Sequence, residues 1–452
     1  MSAEPPSSVA NSGRIKRLSS GVLGILPRGG AWSLTLRIGN LITTLITVAI
    51  FTRALGPSLF GSWSVLTAVV IGMGFLDLGL GHALIRRTGR SVVTSDRSEA
   101  LAFLSEAQHI VARRVAIPVV LFSFALAAVS ALANLNILGI SGPDLWSAIG
   151  IGGLIAASIA VLGLAPKVRI GIDEVAPSAR YQLVGCVAQI PVVALVATTD
   201  APLGVYLLAS LTSQLIGFGL DSLRLSGGDR SRVRHALDDE TKHEGRAYMM
   251  LSLLGFAGFG LDPLITGAIL SPTDAGLVAL AARIIITPQG IALSLFQPSW
   301  GRFARIEHES PQDLRGLVRR STLLAGGTAV AVCVVAGLLA RPILSVLAGP
   351  SYQFTTTLIW ATVAAGSAMG VASAIAFALN GLGLVWSQFR ISSVAITVNV
   401  ILSIVLCSVI GLAGAPLGTA IAHTALALVP GALVVHRRLE AVADSVGAGD
   451  PA

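Results

Sequence analysis

Apolar runs of about twenty residues recur along the chain from residue 31 to residue 436. That is the length of α-helix needed to cross about 30 Å of hydrocarbon. Hydrocarbon offers no hydrogen bonds, so a spanning segment must satisfy its own backbone, and a run of this length does so as a helix. The composition points the same way: 54% of residues are hydrophobic and only 12% charged, against about 25% in an average soluble domain. Mean hydropathy is +0.80. The reading is an all-α polytopic membrane protein. Twelve spans are expected, near 31–51, 62–82, 111–132, 145–165, 180–199, 202–220, 248–270, 275–298, 321–340, 356–378, 390–410 and 416–436.

The net charge of +8 does not point to nucleic acid, because the basic residues sit in short segments between spans. If the N-terminus is cytosolic, 27 of the 31 basic residues fall on the inner side and only Arg53 and Arg341 fall outside. The positive-inside bias therefore sets both termini in the cytosol, and an inner (cytoplasmic) membrane is the expected location. In this count Lys167 and Arg169 belong to an inner loop. Residues 1–30 read as a cytosolic tail, since Val22 to Leu26 is too short for a signal-peptide core. Cys186, Cys333 and Cys407 lie inside apolar runs, with no metal or disulfide spacing.

Two echoes divide the chain. "LGPSLFGSWSVLTA" from Leu55 is matched by "LSPTDAGLVALAAR" from Leu270, aligning Pro57 with Pro272 and Gly61 with Gly276 at a spacing of 215 residues. "APLG" at Ala201–Gly204 returns at Ala415–Gly418, 214 residues on. A duplicated six-span unit explains both. An even number of spans makes the repeats parallel, an arrangement transporters use. The expected units are a tail (1–30), a six-helix bundle (31–220), a charged linker (221–247), a second bundle (248–436) and a C-terminal tail (437–452). Between the first two spans lies a short outer turn, with Pro57 as breaker and Gly56 and Gly61 permitting the reversal.

Charges inside spans cost about 2.5–3.5 kcal/mol on insertion scales, so they usually face a cavity or a partner. Arg37 in span 1 and Asp77 in span 2 lie at similar depth and could pair, although Arg37 could also snorkel to inner headgroups. Asp262 in span 7 and Arg283 in span 8 are also matched in depth, and their pairing is the stronger expectation. Asn399 and His423 are further cavity or gating candidates, although helix-to-helix hydrogen bonds would explain them as well. Asn40, Gln189, Gln214 and Gln289 are polar residues of the same kind.

No engine or reaction centre is visible. None of the three lysines stands in a Walker A loop, and the longest interior loop is too short for an ATPase domain. The seven histidines show no metal-ligand spacing. Asp144, Asp200 and Asp274, on the outer side, read as caps and turns. The chain therefore reads as a non-enzyme without cofactor, driven by an H⁺ or Na⁺ gradient, a substrate gradient or a partner.

Three stretches carry a family resemblance: "FTRALGPSLFGSWSVLTAVVIGMGFLDLGLGHALIRR", "NVILSIVLCSVIGLAGAPLGTAIAHTA" and the basic "RRTGR". With them the chain resembles the multidrug/oligosaccharidyl-lipid/polysaccharide (MOP) exporter superfamily, and most of all its Wzx-type polysaccharide flippases. The resemblance implies two six-helix bundles in a V with alternating access. It also implies flipping of an undecaprenyl-pyrophosphate-linked oligosaccharide for cell-surface polysaccharide synthesis, with a glycan polymerase or glycosyltransferases as partners. A cationic cavity would suit the pyrophosphate, with Arg37 and Arg283 as its candidates. The rival on the same fold is a cation-coupled multidrug exporter, expected to show a small apolar or aromatic cavity and one decisive carboxylate. Aromatic residues make up only 5% of the chain, which favours the glycan.

Overall fold

The computed structural model describes residues 30–73, 77, 79–81, 84, 85, 88, 97–137, 139–172, 174–226, 239–296, 299, 303, 306, 311–349 and 352–447. The expected N-terminal tail, the arginines of "RRTGR" and much of the linker lie outside the described residues. Apart from one isolated bridge between Ile137 and Ile140, the described regular structure is helical.

The chain runs up and down. Helix α1 (Gly30–Met73) is two limbs, 30–55 and 57–73, divided at Gly56. Gly56 has φ 68° and ψ 174°, a left-handed region that costs a Cβ-bearing residue about 1–2 kcal/mol. The outer turn expected from sequence is thus a single-residue reversal, with Pro57 opening the second limb. Then follow α2 (Arg97–Val111) and α3 (Ile117–Leu132), joined by a π-helical turn, and α4 (Gly142–Leu162), α5 (Leu164–Gly171), α6 (Val175–Val196) and α7 (Leu203–Ser226). The second half holds α8 (Asp239–Ile269), α9 (Pro272–Ser294), α10 (Pro311–Ala348), α11 (Thr356–Gly381) and α12 (Val385–Ile410). It closes with α13 (Gly414–Ala422), a second π turn and α14 (Val429–Gly447). Each π turn lies just before a proline, Ala112–Ala116 before Pro118 and His423–Leu428 before Pro430. Proline has no N–H for the preceding turn, and widening the helix accommodates the carbonyl left over.

Among the described residues, nine segments are long and apolar enough to cross a membrane. Two of them are double, broken at Gly56 and at Gly411–Ala413, and α8 adds a further helix. This is the polytopic bundle of about twelve helices expected from the sequence. The fourth span differs: α5 continues α4 through to Gly171, so Lys167 and Arg169 are helical residues rather than loop residues.

The end of the molecule carrying Gly56, Pro272 and Gly411 is called the apex here, and the opposite end the base. At the apex one apolar core joins both halves: Phe51, Phe60 and Trp63 pack in the same cluster as Leu277, Leu280, Leu344 and Leu358. Towards the base each half has its own cores, one around Leu84, Phe103 and Leu164, the others around Phe303, Leu314 and Leu379 and around Leu293 and Ala329. Among the described residues, the core shared by the two halves lies at the apex, and the cores towards the base each belong to one half.

Candidate functional site

The separation leaves a cavity of about 480 Å³ in the first half, lined by α1, α4, α5, α6, α7 and one helix of the second half, α9. Its wall is mostly neutral and hydrogen-bonding: Asn40, Thr43, Thr47, Gln182, Ser210 and Gln214 all face it. Helix packing builds this wall. Gln189 is buried and donates from Nε2 to Thr47 Oγ1 (2.9 Å), while its Oε1 accepts the Ser213 N–H (3.1 Å). That pair of bonds ties α6 to both α1 and α7.

Three charged side chains reach the cavity: Asp77, Lys167 and Arg283. Asp77 accepts from the backbone N–H of Gly79 (2.9 Å) and of Gly81 (3.2 Å), fixing the turn that follows the second limb. A Cβ placed on Gly81 would lie 2.5 Å from Asp77 Oδ2 and 3.4 Å from Lys167 Cγ. The absence of a side chain at Gly81 is what lets the carboxylate and the lysine stem converge. Arg283 lies at the other end, its guanidinium 4.7 Å from the centre of the Trp63 ring. Trp63 Nε1 is buried with no hydrogen-bond partner. Of the aromatic residues, Trp63 lines the cavity at this end and Phe218 lines it too; Phe51 and Phe60 are buried behind Trp63, at 5.3 and 5.2 Å between ring centres.

Lys167 is held in place from behind. Arg169, two residues on, is 3% exposed. Its Nε donates to Asp221 Oδ1, and its Nη1 donates to Glu174 Oε2 (2.6 Å). Ser178 Oγ donates to Asp221 Oδ2 (2.5 Å), and the Tyr181 ring faces the guanidinium at 5.7 Å. This buried clasp fastens α5 to α6 and α7.

The second half holds a different arrangement. Asp262 on α8 meets Thr419 on α13, with Oδ1 and Oδ2 3.1 and 3.0 Å from the Thr419 hydroxyl. The same hydroxyl lies 2.9 Å from Asn399 Oδ1, and Ser403 Oγ lies 3.2 Å from that oxygen and 3.1 Å from Ala415 O. A hydroxyl has one proton to donate, yet three acceptor oxygens face that of Thr419. The cluster balances with a proton on Asp262, with a small cation among the oxygens, or with the Asn399 amide turned over. His423 contacts Thr419 O through Nδ1 (3.0 Å) and also lines a smaller, mainly apolar cavity of about 170 Å³.

The expected charge pairs are therefore not made. Asp262 faces Thr419, while Arg283 stacks on Trp63 across the halves; equal depth along two helices says nothing about the direction each side chain faces. Arg37, half-buried, does not line the cavity, and Asp77 is engaged by its own turn and stands beside Lys167 rather than Arg37. Asn399 and His423 do join Asp262 through Thr419. Lys167 was missed because it was counted with an inner loop; the signal was Pro166, which can begin a helix as readily as end one. Among the described residues, no group of three His, Cys, Asp or Glu side chains gathers to hold a metal.

No family model matches the chain, and no curated protein matches it. Solved structures do. An inward-facing multidrug-resistance MATE transporter of the MOP superfamily superposes with TM-score 0.69 at 14% identity, covering 91% of this chain and 99% of that one. An outward-facing MATE transporter gives 0.61 at 13% identity, covering 91% and 97%. The lipid II flippase MurJ, in an inward closed conformation, gives 0.60 at 13% identity, covering 91% and 89%. The chain has the two-bundle fold of MOP-superfamily transporters.

Proposed function

We propose that this chain is a MOP-type transporter that flips an anionic, lipid-linked glycan across the cytoplasmic membrane by alternating access. The observation that carries the reading is the first-half cavity, where, among the described residues, two cations, Lys167 and Arg283, stand among hydroxyl and amide side chains with Asp77 as the one carboxylate lining it. Sugar hydroxyls match the neutral wall. A phosphate or pyrophosphate matches a cation at either end of the cavity, Arg283 at one and Lys167 beside Asp77 at the other, and a charge-assisted bond there gains strength away from water. Undecaprenyl pyrophosphate bearing an oligosaccharide has that chemistry, and MurJ, described as a lipid II flippase, has the same fold. The positive-inside bias of the basic residues supports an orientation with the base and both termini in the cytosol. Loading then occurs from the inner leaflet, where glycosyltransferases would supply the substrate and a polymerase would consume it outside.

The second-half cluster is the coupling element of this reading. Its oxygens from Asp262, Asn399, Ser403, Thr419 and the Ala415 carbonyl are hard donors around a single carboxylate, which suits H⁺ or Na⁺ better than a divalent ion.

The test is flipping of a fluorescent undecaprenyl-pyrophosphate oligosaccharide in proteoliposomes. The reading expects flipping by the native chain and loss in Lys167→Gln and Arg283→Gln at unchanged thermal stability. One observation favours the multidrug exporter instead: the small, mainly apolar second-half cavity lined by His423, with the Asp262 carboxylate joined to it through Thr419. Extrusion of cationic dyes, with no glycan movement under any imposed gradient, would transfer the assignment to that reading.

A further inference from the structure

The repeat-matched glycines of the two halves touch each other at the apex. A Cβ on Gly61 would sit 1.6 Å from Pro272 O and 3.3 Å from Gly276 N; a Cβ on Gly276 would sit 3.2 Å from Gly61 Cα and 3.3 Å from Phe60 Cδ1. Gly61 is buried at the start of the second limb of α1, and Gly276 is buried in the first turns of α9. Positions that correspond in a two-fold repeat meet where the axis passes, so this contact lies on the pseudo-two-fold axis.

Around it the halves exchange polar contacts. Arg53 Nη2 donates to Val346 O (2.8 Å), Thr52 Oγ1 lies 3.0 Å from Leu347 O, and Tyr352 Oη lies 3.4 Å from Thr52 O. The Tyr352 ring packs edge-on against Phe60 at 6.0 Å. Trp63, two residues beyond Gly61, closes the top of the cavity and carries Arg283 of the other half on its face. The seam is therefore the closure above the cavity, and its tightest point is Gly61 against the backbone carbonyl of Pro272, one turn before Gly276.

We propose that the Gly61–Gly276 contact is the apical gate, closed only while position 61 lacks a side chain. An added Cβ at 61 would need nearly 2 Å of retreat to reach ordinary contact, and what it meets is backbone, which cannot rotate aside. Packed interfaces of this kind switch between arrangements rather than deform gradually. Alanine at 61 holds the apex apart. Alanine at 276 meets contacts a few tenths of an ångström too short and moves the equilibrium only partway. This inference goes beyond the transport reading and does not depend on what is carried.

The test is double electron–electron resonance on the full chain in nanodiscs. Spin labels go at Leu132→Cys and Val409→Cys, exposed apical ends of the first and second halves, and in a separate sample at Leu223→Cys and Arg319→Cys near the base. The native cysteines are buried and stay unlabelled. The native chain is expected to show a short apical distance. Gly61→Ala should move most of that distribution to longer distance while the basal pair shortens. Gly276→Ala should move a smaller fraction the same way. Gly290→Ala, in the same helix as Gly276 but with open space around it, should change nothing. An unmoved apical distribution in folded Gly276→Ala overturns the proposal, as do equal shifts in Gly276→Ala and Gly290→Ala; neither result requires Gly61→Ala to fold.

Discussion

The two halves share a repeat, yet their polar interiors have opposite character. The first half holds a roomy cavity that two cations reach, the Lys167 ammonium and the Arg283 guanidinium contributed from across the seam, among neutral hydroxyl and amide side chains. The second half packs acceptors around one carboxylate so tightly that Thr419 has more oxygens near it than it has protons to give. Duplicated helices fix where polar side chains are exposed to one another; the residues then placed there decide whether an anion or a cation is favoured. On the proposed reading the halves divide the work, with substrate on one side and the driving ion on the other.

Four experiments sharpen or break this contrast, in decreasing order of expected effect. Asp221→Ala strips the partner from buried Arg169. Breaking a buried pair costs about 3–5 kcal/mol, so this variant should lose most of its thermal stability, read as the melting of helical circular dichroism, and should lose the Lys167 side of the cavity with it. Arg283→Gln comes next. Loss of a charge-assisted bond of about 1.5–3 kcal/mol should weaken binding of an undecaprenyl-pyrophosphate analogue about 10- to 100-fold, measured by fluorescence titration, without altering the response to an ion gradient. Asp262→Asn should do the reverse: gradient-driven flipping in proteoliposomes falls to the undriven rate, while analogue affinity stays within about twofold. If Asp262→Asn weakens the analogue as much as Arg283→Gln does, the division between the halves is wrong. Ser403→Ala should have the smallest effect. It removes one neutral hydroxyl worth about 1 kcal/mol and should raise the Na⁺ or H⁺ concentration for half-maximal transport a few-fold.

Much of this was legible in the sequence because the membrane makes it so. The spans follow from apolar length, the turn at Gly56 from its glycine and proline, and the echo between Gly61 and Gly276 from spacing alone. What was hidden is rotation. Depth along a helix can be counted from residue numbers, but a hundred-degree turn per residue decides the partner, and this is why Asp262 was expected at Arg283 and is found at Thr419. Composition is also silent on placement. Aromatic residues are only 5% of the chain, yet Phe51, Phe60, Trp63, Tyr206 and Tyr352 gather in the buried core at one end of the bundle, and of these Trp63 lines the cavity. Lys167 shows the limit of the positive-inside rule: a basic residue near a span end serves topology equally well in a loop or on the wall of a cavity.

The contact between Gly61 and Gly276 has one more consequence. In a homodimer a residue on the two-fold axis meets its own copy, and any replacement arrives on both sides at once. In a single duplicated chain the two positions are separate codons and can drift apart. Their surroundings already differ: a Cβ at 61 would meet Pro272 O at 1.6 Å, whereas the nearest atom to one at 276 is Gly61 Cα at 3.2 Å. A fused gene can keep a tight cheek and a slack one in the same joint, a setting that paired identical subunits have no means to encode.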